Sequence, residues 1–587
     1  MNIDYILQEY DSLFGKTTLV EIEAYLYQKI REAIEEQDDS AILTFLNEMI
    51  GLCRDTSQKE KALVYCEQLK KLMVRMNLEG TRDYATSMQN IANAYRAFGQ
   101  WEAAEEAFQS IEKTYKTCLN IQYEEICYSE KCSKNLTWLD LDISNVPFTK
   151  DAYLWASLYN NWGLLYQEKQ EYTKSVETLQ KALAVIMQLS NGAIKQAITK
   201  TNLANSLLGL QTEEAIEKGY SYITEALKVF VEDGEKDFHY GAALVAMGDY
   251  LTYRSEWKQA KEYYRKGLVE LLIHTGKTDF YQRVVEKYEN VVAKLQPSAK
   301  WKNNLVRSRE FYEQYGKAMI HNLFPNYESR IAVGMVGEGS DCFGFDDEIS
   351  MDHDYAVGFC MWLMKEDMRA IGKELQEAYN NLFMNAESEA IRINKESSQN
   401  STELDVQIPN VRFIAEHGEN ICLHSKVYAP NMARLSNRRG VFEMDAFYES
   451  DAEEWKLAEL VNGEVFRDDL GLFIEKRNAL LAYYPEDVWR KKLANCLHEF
   501  SQYAQANYAR MMAREDYLTA NLCISKAIES AMDIAYVLSK KYAPYYKWKC
   551  KGLEQLGEMR DILWICEELS LISCQKKAWV TKLLQQI

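Results

Sequence analysis

Breakers are what this chain lacks most: seven prolines in 587 residues. So few excludes a proline-rich disordered chain and argues against an all-β protein; with 47% apolar residues it points to a mainly helical globular one. Paired cysteines are missing too. Thirteen cysteines are present, but none forms a Cys-x-x-Cys spacing. The closest set, Cys118, Cys127 and Cys132, has no histidine nearby, which argues against a zinc site. Cys53, Cys66, Cys496, Cys523 and Cys566 fall in apolar helical contexts and read as buried thiols of a reducing compartment. No run reaches the roughly 18 to 20 uncharged apolar residues that cross a bilayer. The start, Met1-Asn2-Ile3-Asp4-Tyr5, lacks the basic and apolar regions of a signal peptide, so no membrane and a cytoplasmic location are expected. Positive charge is the minority sign. With 88 acidic against 68 basic residues the net charge is −20, which disfavours extended nucleic acid while leaving room for one nucleotide or a transfer RNA end at a local basic patch.

Length divides the chain. At 587 residues it exceeds a single core, and three parts are expected: 1–300, 301–455 and 456–587. The first part carries helix after helix, with apolar residues at three- and four-residue spacing. Three segments share one scheme: Ala92, Tyr95, Ala104, Phe108 and Ile111; Gly163, Tyr166, Ser175, Leu179 and Ala182; Gly248, Leu251, Ala260, Tyr264 and Gly267. A looser copy surrounds Leu203, Ala204 and Ala226. Small residues let the two helices of a hairpin approach closely, and large ones fill the gap to the next hairpin. The offsets resemble the tetratricopeptide repeat of about 34 residues, irregularly spaced and with an insertion over residues 116–150. A helical solenoid follows. Its concave face would hold a peptide or protein partner, or the array would dock on the domain that follows.

The chemistry is expected in residues 301–455. A helix over Asn303–Asn322 ends at Phe324-Pro325, and Arg330–Val336 has the apolar character of a buried strand. Gly337-Glu338-Gly339-Ser340 breaks it. Two glycines let backbone N–H groups turn toward one point, and Ser340 adds a hydroxyl, a combination suited to a terminal phosphate. A second strand is expected over Ile349–Phe359. On it Asp352 and Asp354 share one face, where two carboxylates can hold hard cations together with phosphate oxygens. Asp346, Asp347 and Glu348 either cap a neighbouring element as a solvated loop or reach a metal or acceptor. After a helix near Met364–Phe383 comes a further carboxylate, Glu443 or Asp405. Downstream of residue 456 the apolar periodicity reads as a helical bundle over Trp489–Met512, Tyr517–Leu538 and Leu553–Leu584.

Gly339-Ser340, eleven intervening residues and then Asp352-His353-Asp354 together resemble the DNA polymerase β-like nucleotidyltransferase superfamily, which includes the aminoglycoside and minimal nucleotidyltransferases. The likeness to a bacterial branch of it extends through Gly463-Glu464-Val465-Phe466-Arg467-Asp468-Asp469 and Tyr484-Pro485-Glu486-Asp487-Val488-Trp489 to Tyr545-Tyr546-Lys547-Trp548. The resemblance covers about residues 305–555 and implies a polymerase β-like α/β core with a C-terminal bundle closing the cleft; with the tetratricopeptide-like solenoid that lies outside it, the whole is expected to be mainly α. The resemblance further implies Mg²⁺-dependent transfer of a nucleotide from an NTP, by expectation ATP, to an acceptor hydroxyl on a protein or small molecule, with transfer RNA third. Asp352 and Asp354 would hold two Mg²⁺ ions, with Glu443 preferred to Asp405 as the third carboxylate because Arg438-Arg439-Gly440-Val441 leads into it. Gly339 and Ser340 would grip phosphates. Lys526, ahead of Lys491 and Lys547, would reach the triphosphate, and Tyr484, Tyr545, Tyr546 and Trp548 either stack on a base or pack the core. A non-catalytic adaptor with a nucleotide-sensing domain is the competing class.

Overall fold

The computed structural model describes residues 1–13, 17–118, 152–187, 189, 192–233, 237–295, 303–347, 349, 357–397, 440–443, 454–573 and 576–587. Two compact units divide the chain, Met1–Gln296 and Pro297–Ile587.

The first unit is a helical repeat-like array. After α1 (Ile3–Leu13), α2 (Leu19–Glu35) leads into hairpins α3–α4 (Asp39–Asp55, Lys59–Arg75), α5–α6 (Arg82–Ala97, Trp101–Cys118), α7–α8 (Ala152–Glu168, Tyr172–Ile186), α9–α10 (Ala193–Gly209, Glu213–Asp233) and α11–α12 (Phe238–Tyr253, Trp257–Thr275); α13 (Asp279–Leu295) ends it. Close approach inside the hairpins occurs at the small residues. A Cβ on Gly163 would lie 2.5 Å from Leu179 Cγ, and one on Gly248 would lie 2.6 Å from the Tyr264 ring. The Ser175 hydroxyl donates to the Gly163 carbonyl at 2.7 Å.

Few of the turns use glycine. Gln37, Ser57, Asn77, Gln170 and Ser255 take φ between 53° and 61° just past their helices. Each is followed by the same reach-back bond, from Asp38 N to Ala33 O (3.0 Å), Gln58 N to Cys53 O (2.8 Å), Leu78 N to Met73 O (3.1 Å), Glu171 N to Tyr166 O (2.8 Å) and Glu256 N to Leu251 O (2.9 Å). That is one helix-ending turn recurring along the array, satisfying carbonyls the last helical turn leaves open. The array also curls back on itself, because Asp279 N at the start of α13 donates to the Ser57 hydroxyl at 3.3 Å.

The second unit holds the only sheet among the described residues, four strands in the order β3-β2-β1-β4: β1 (Ala332–Met335), β2 (Cys360–Leu363), β3 (Gly440–Glu443) and β4 (Glu464–Arg467). β1 runs antiparallel to β2 and β4, and β2 runs parallel to β3. Helices α14 (Asn304–Phe311) and α15 (Lys317–Leu323) precede the sheet, and α16 (Lys365–Ser397) follows β2. Alternation along the strands sorts the two faces. Val333, Met361 and Leu363 pack with Met319, Ile320, Leu375 and Tyr379, while Ala332, Cys360 and Trp362 pack with Leu457, Leu460 and Phe473. The second set comes from α17 (Glu454–Val461) and α18 (Leu472–Leu481).

The strand facing β1 starts later than its expected range of Ile349–Phe359. Ile349 is 90% exposed. Gly358 N and Phe359 N donate to the Ser308 hydroxyl (3.2 Å) and the Tyr379 hydroxyl (3.0 Å) instead of to a ladder. The fully buried Cys360-Met361-Trp362-Leu363 takes the central place. A helical bundle follows, with α19 (Glu486–Phe500), α20 (Tyr508–Ala513), α21 (Tyr517–Leu538), α22 (Lys549–Leu553), α23 (Arg560–Leu571) and α24 (Lys577–Gln586). Trp489 of α19 ties to α21 through its indole N–H, 2.7 Å from Val537 O.

Candidate functional site: a glycine turn held by a distant asparagine

β1 delivers the chain directly into the turn Gly337–Ser340. Gly337 has φ 129° and Gly339 φ 110°, conformations that side-chain-bearing residues rarely adopt, so glycine at both positions follows from the backbone. Ser340 is half-buried, and its carbonyl accepts from Phe345 N at 2.8 Å. The loop beyond is pinned by α14. Asn304, fully buried at the start of α14, donates its backbone N–H to Asp346 Oδ2 and its side-chain amide to Asp341 Oδ2, both at 2.8 Å. Asp341 Oδ1 also accepts from Cys342 N at 2.9 Å. Of the acidic run, Asp346 is therefore a buried cap on α14, and Asp347 accepts from Ile349 N at 3.0 Å in an exposed turn. Glu348 lies outside the described residues.

The turn is also held by a residue that no sequence motif singled out. Asn462, just past α17, accepts from Gly337 N at 2.9 Å and donates to Gly337 O at 2.6 Å, so one carboxamide reads both sides of one residue. Arg477 of α18 fixes that asparagine in turn. Its guanidinium donates to the carbonyls of Val461 (2.7 Å), Asn462 (2.9 Å) and Gly463 (3.1 Å), satisfying the end of α17. Gly463 cannot carry a side chain: with φ 62°, a Cβ there would sit 1.9 Å from Met335 O. The motif Gly463–Asp469 is thus strand β4 and its anchors. Glu464 pairs with Arg309, Arg467 with Glu328 and Asp469, and Asp468 accepts from Ile474 N at 2.8 Å near the start of α18.

Along α17 from Asn462, at three-residue spacing, come Glu459 and Lys456, 3% and 4% exposed. Glu459 Oε2 is buried without a hydrogen-bond partner. Burial pushes its carboxyl up to about 9, Glu338 on the glycine turn raising it further and Lys456 opposing. Asn462 and Glu459 thus adjoin the turn, and Lys456 stands three residues further along the same helix.

Asp352, Asp354 and Asp405 lie outside the described residues. Glu443 ends β3 opposite Leu363, while Cys360 pairs with Gly440 at the end near the turn. Three strand residues, roughly 10 Å, separate Glu443 from that end. Lys526 is more than half exposed and bound to Glu529 at 2.9 Å, which holds its ammonium pKa up; Lys491 and Lys547 are exposed. Tyr484 packs with Tyr483 and Tyr542, whereas Tyr545 and Tyr546 are exposed, with Tyr545 edge-on to Trp455. Trp548 touches Phe345 of the loop after the turn, ring centroids 6.2 Å apart. A cavity of about 550 Å³ lies between α15 and α16, lined by Phe324, Tyr327, Ile371, Glu374 and Glu377, and shares no residue with the turn. Among the described residues no three His, Cys, Asp or Glu side chains converge to hold a cation.

Residues 450–549 match a family model described as a domain of unknown function (DUF4037), a family associated with nucleotidyltransferase-like proteins. The matched stretch contains Lys456, Glu459, Asn462, Gly463 and Arg477, the groups that hold or flank the turn. No curated protein matches the chain. Among the described residues no helix is long and apolar enough to cross a membrane.

Proposed function

We propose that the protein is a nucleotidyltransferase of the polymerase β-like type, moving a nucleoside monophosphate from an NTP, ATP by preference, to an acceptor hydroxyl. The observation that carries the reading is the Gly337–Ser340 turn at the end of a buried strand, with positive φ at both glycines and the backbone clamped by Asn462. Such a turn presents N–H groups to phosphate oxygens and costs no rearrangement when they arrive.

In the proposed reaction the acceptor oxygen forms a bond to the α-phosphorus, the bond from that phosphorus to the bridging oxygen breaks, and pyrophosphate departs with the electron pair. The hydroxyl proton passes to solvent. Gly339 and Ser340 hold the departing phosphates through backbone N–H groups and the serine hydroxyl. Asp352 and Asp354 are the residues that would hold Mg²⁺, which when bound neutralises the leaving group and lowers the acceptor's pKa. Glu443, which closes β3, is the proposed third carboxylate, with Asp405 as its alternative. Tyr545 and Tyr546 are exposed aromatic surface on which a base could stack.

The helical array is read as tetratricopeptide-like, on its close-packed Gly163 and Gly248 hairpins and recurring turns. Its role in the proposal is to recruit a protein acceptor; a small-molecule acceptor is the alternative substrate. The test is incubation with α-phosphate-labelled NTPs, Mg²⁺ and cell extract, followed by separation of protein, RNA and small-molecule fractions. Label is expected in the protein or small-molecule fraction and absent with Asp352→Ala. NTP binding with label in no fraction would make the protein a nucleotide sensor instead.

A further inference from the structure

A buried lysine ordinarily has an acid beside it, because taking an ammonium from water costs several kcal/mol unless it is paired. Lys456 is 4% exposed. Among the described residues no carboxylate lies within ion-pair distance of it; its Nζ lies 5.5 Å from the centre of the Trp455 ring. The acid one helical turn along, Glu459, is equally buried and has an oxygen without a hydrogen-bond partner. Other lysines of this unit are satisfied differently: Lys492 by Glu454 (3.1 Å), Lys549 by Asp533 (2.6 Å) and Lys526 by Glu529 (2.9 Å).

Position gives this pair its meaning. α17 is locked to the glycine turn by the two bonds between Asn462 and Gly337, and Glu459 lies close enough to Glu338 of that turn to feel its charge. We propose that Lys456 is the cation that binds the polyphosphate of the nucleotide beside the Gly337–Ser340 turn, with Glu459 as a neutral hydrogen-bond donor next to it. The inference rests on the nucleotide-binding part of the function proposed above. A phosphate satisfies both groups at once, accepting from the ammonium and from the carboxyl O–H. Because burial keeps Glu459 protonated, it neither cancels Lys456 nor repels an anion. Lys526, already paired and exposed, would have to leave Glu529 to do the same task.

Calorimetric titration of the full chain with inorganic tripolyphosphate and with Mg-ATP tests the assignment. Wild type binds both; Lys456→Met weakens both by roughly 10- to 100-fold, the worth of one charge-assisted hydrogen bond. Lys526→Met binds as wild type, the Lys526 ammonium being held by Glu529. Unchanged binding in a folded Lys456→Met overturns the assignment, as does a wild type that binds neither probe. Should the methionine variant fail to fold, Lys456→Arg is expected to keep binding and Lys456→Gln to lose it, equal binding by the two overturning the idea. A purely structural lysine would leave binding unmoved while its removal held or raised the melting temperature. Tripolyphosphate binding that depends on Lys456, together with no label transfer from NTP, would sink the transferase reading and leave this site standing.

Discussion

Glu459 is the residue whose chemistry departs furthest from its type. Unfolded, its carboxyl ionises near 4.5; folded, burial and the neighbouring Glu338 carry it to about 9, against the pull of Lys456. Between those values the folded chain keeps a proton that the unfolded chain has released, so stability is full below about pH 4.5 and is lost as pH rises through about 9. Glu459→Gln removes that proton exchange. Its denaturant midpoint should fall less than that of wild type from pH 5 to pH 7, by on the order of 2 kcal/mol in unfolding free energy. Parallel curves for the two proteins would show Glu459 ionised in the fold. Asn462 makes a second residue-scale case. Asn462→Asp keeps the acceptor for Gly337 N but sets a carboxylate oxygen against Gly337 O, so a loss of roughly 1–3 kcal/mol is expected in urea unfolding. Nucleotide binding should fall with it, since the turn is no longer held. Neither residue was legible beforehand: an Asn or Glu within a helical run is ordinarily solvated, and nothing local ties Asn462 to a glycine so far away in sequence. Gly337 and Gly339 were legible because a backbone need for positive φ leaves its mark in the residue type itself.

Elements were readable where one local signal determined them. Buried β1, the hairpin helices and the long α21 follow from apolar period, and the small residues at Gly163 and Gly248 stand where the hairpin helices meet. The start of β2 was not readable. Phe359 looks like strand, yet its N–H is taken by Tyr379 of α16, a partner only the fold supplies. The recurring turns escaped notice for a related reason: with Gln, Ser and Asn in the left-handed position, the usual glycine flag is absent. Such residues carry conformational strain of about 1–2 kcal/mol that glycine would not. Gln170→Gly should therefore stabilise the array, by about 0.5–1 kcal/mol after the larger entropy loss of glycine, and raise its melting temperature. A lower melting temperature would mean that the Gln170 side chain supplies more than its strain costs.

At the scale of the molecule, division of labour is the question. The glycine turn, its Asn462 clamp, the Lys456-Glu459 row and the exposed Tyr545 and Tyr546 all belong to the unit Pro297–Ile587. That unit carries its own buried layers on both faces of the sheet, Val333, Met361 and Leu363 on one and Ala332, Cys360 and Trp362 on the other. A core of this kind is what independent folding requires. The array has its own closure, with Asp279 N bonded to the Ser57 hydroxyl across the length of the repeats. A chain of residues 297–587 is accordingly expected to unfold in one cooperative step and to bind tripolyphosphate as the whole chain does. If the array recruits a protein acceptor, the same fragment loses labelling of protein while pyrophosphate exchange into NTP continues. A small-molecule acceptor predicts the opposite, with the fragment labelling its acceptor as well as the full chain. The two substrates are thus separated by which fraction loses its label, and loss of tripolyphosphate binding in a folded fragment would place part of the nucleotide site outside the residues named here.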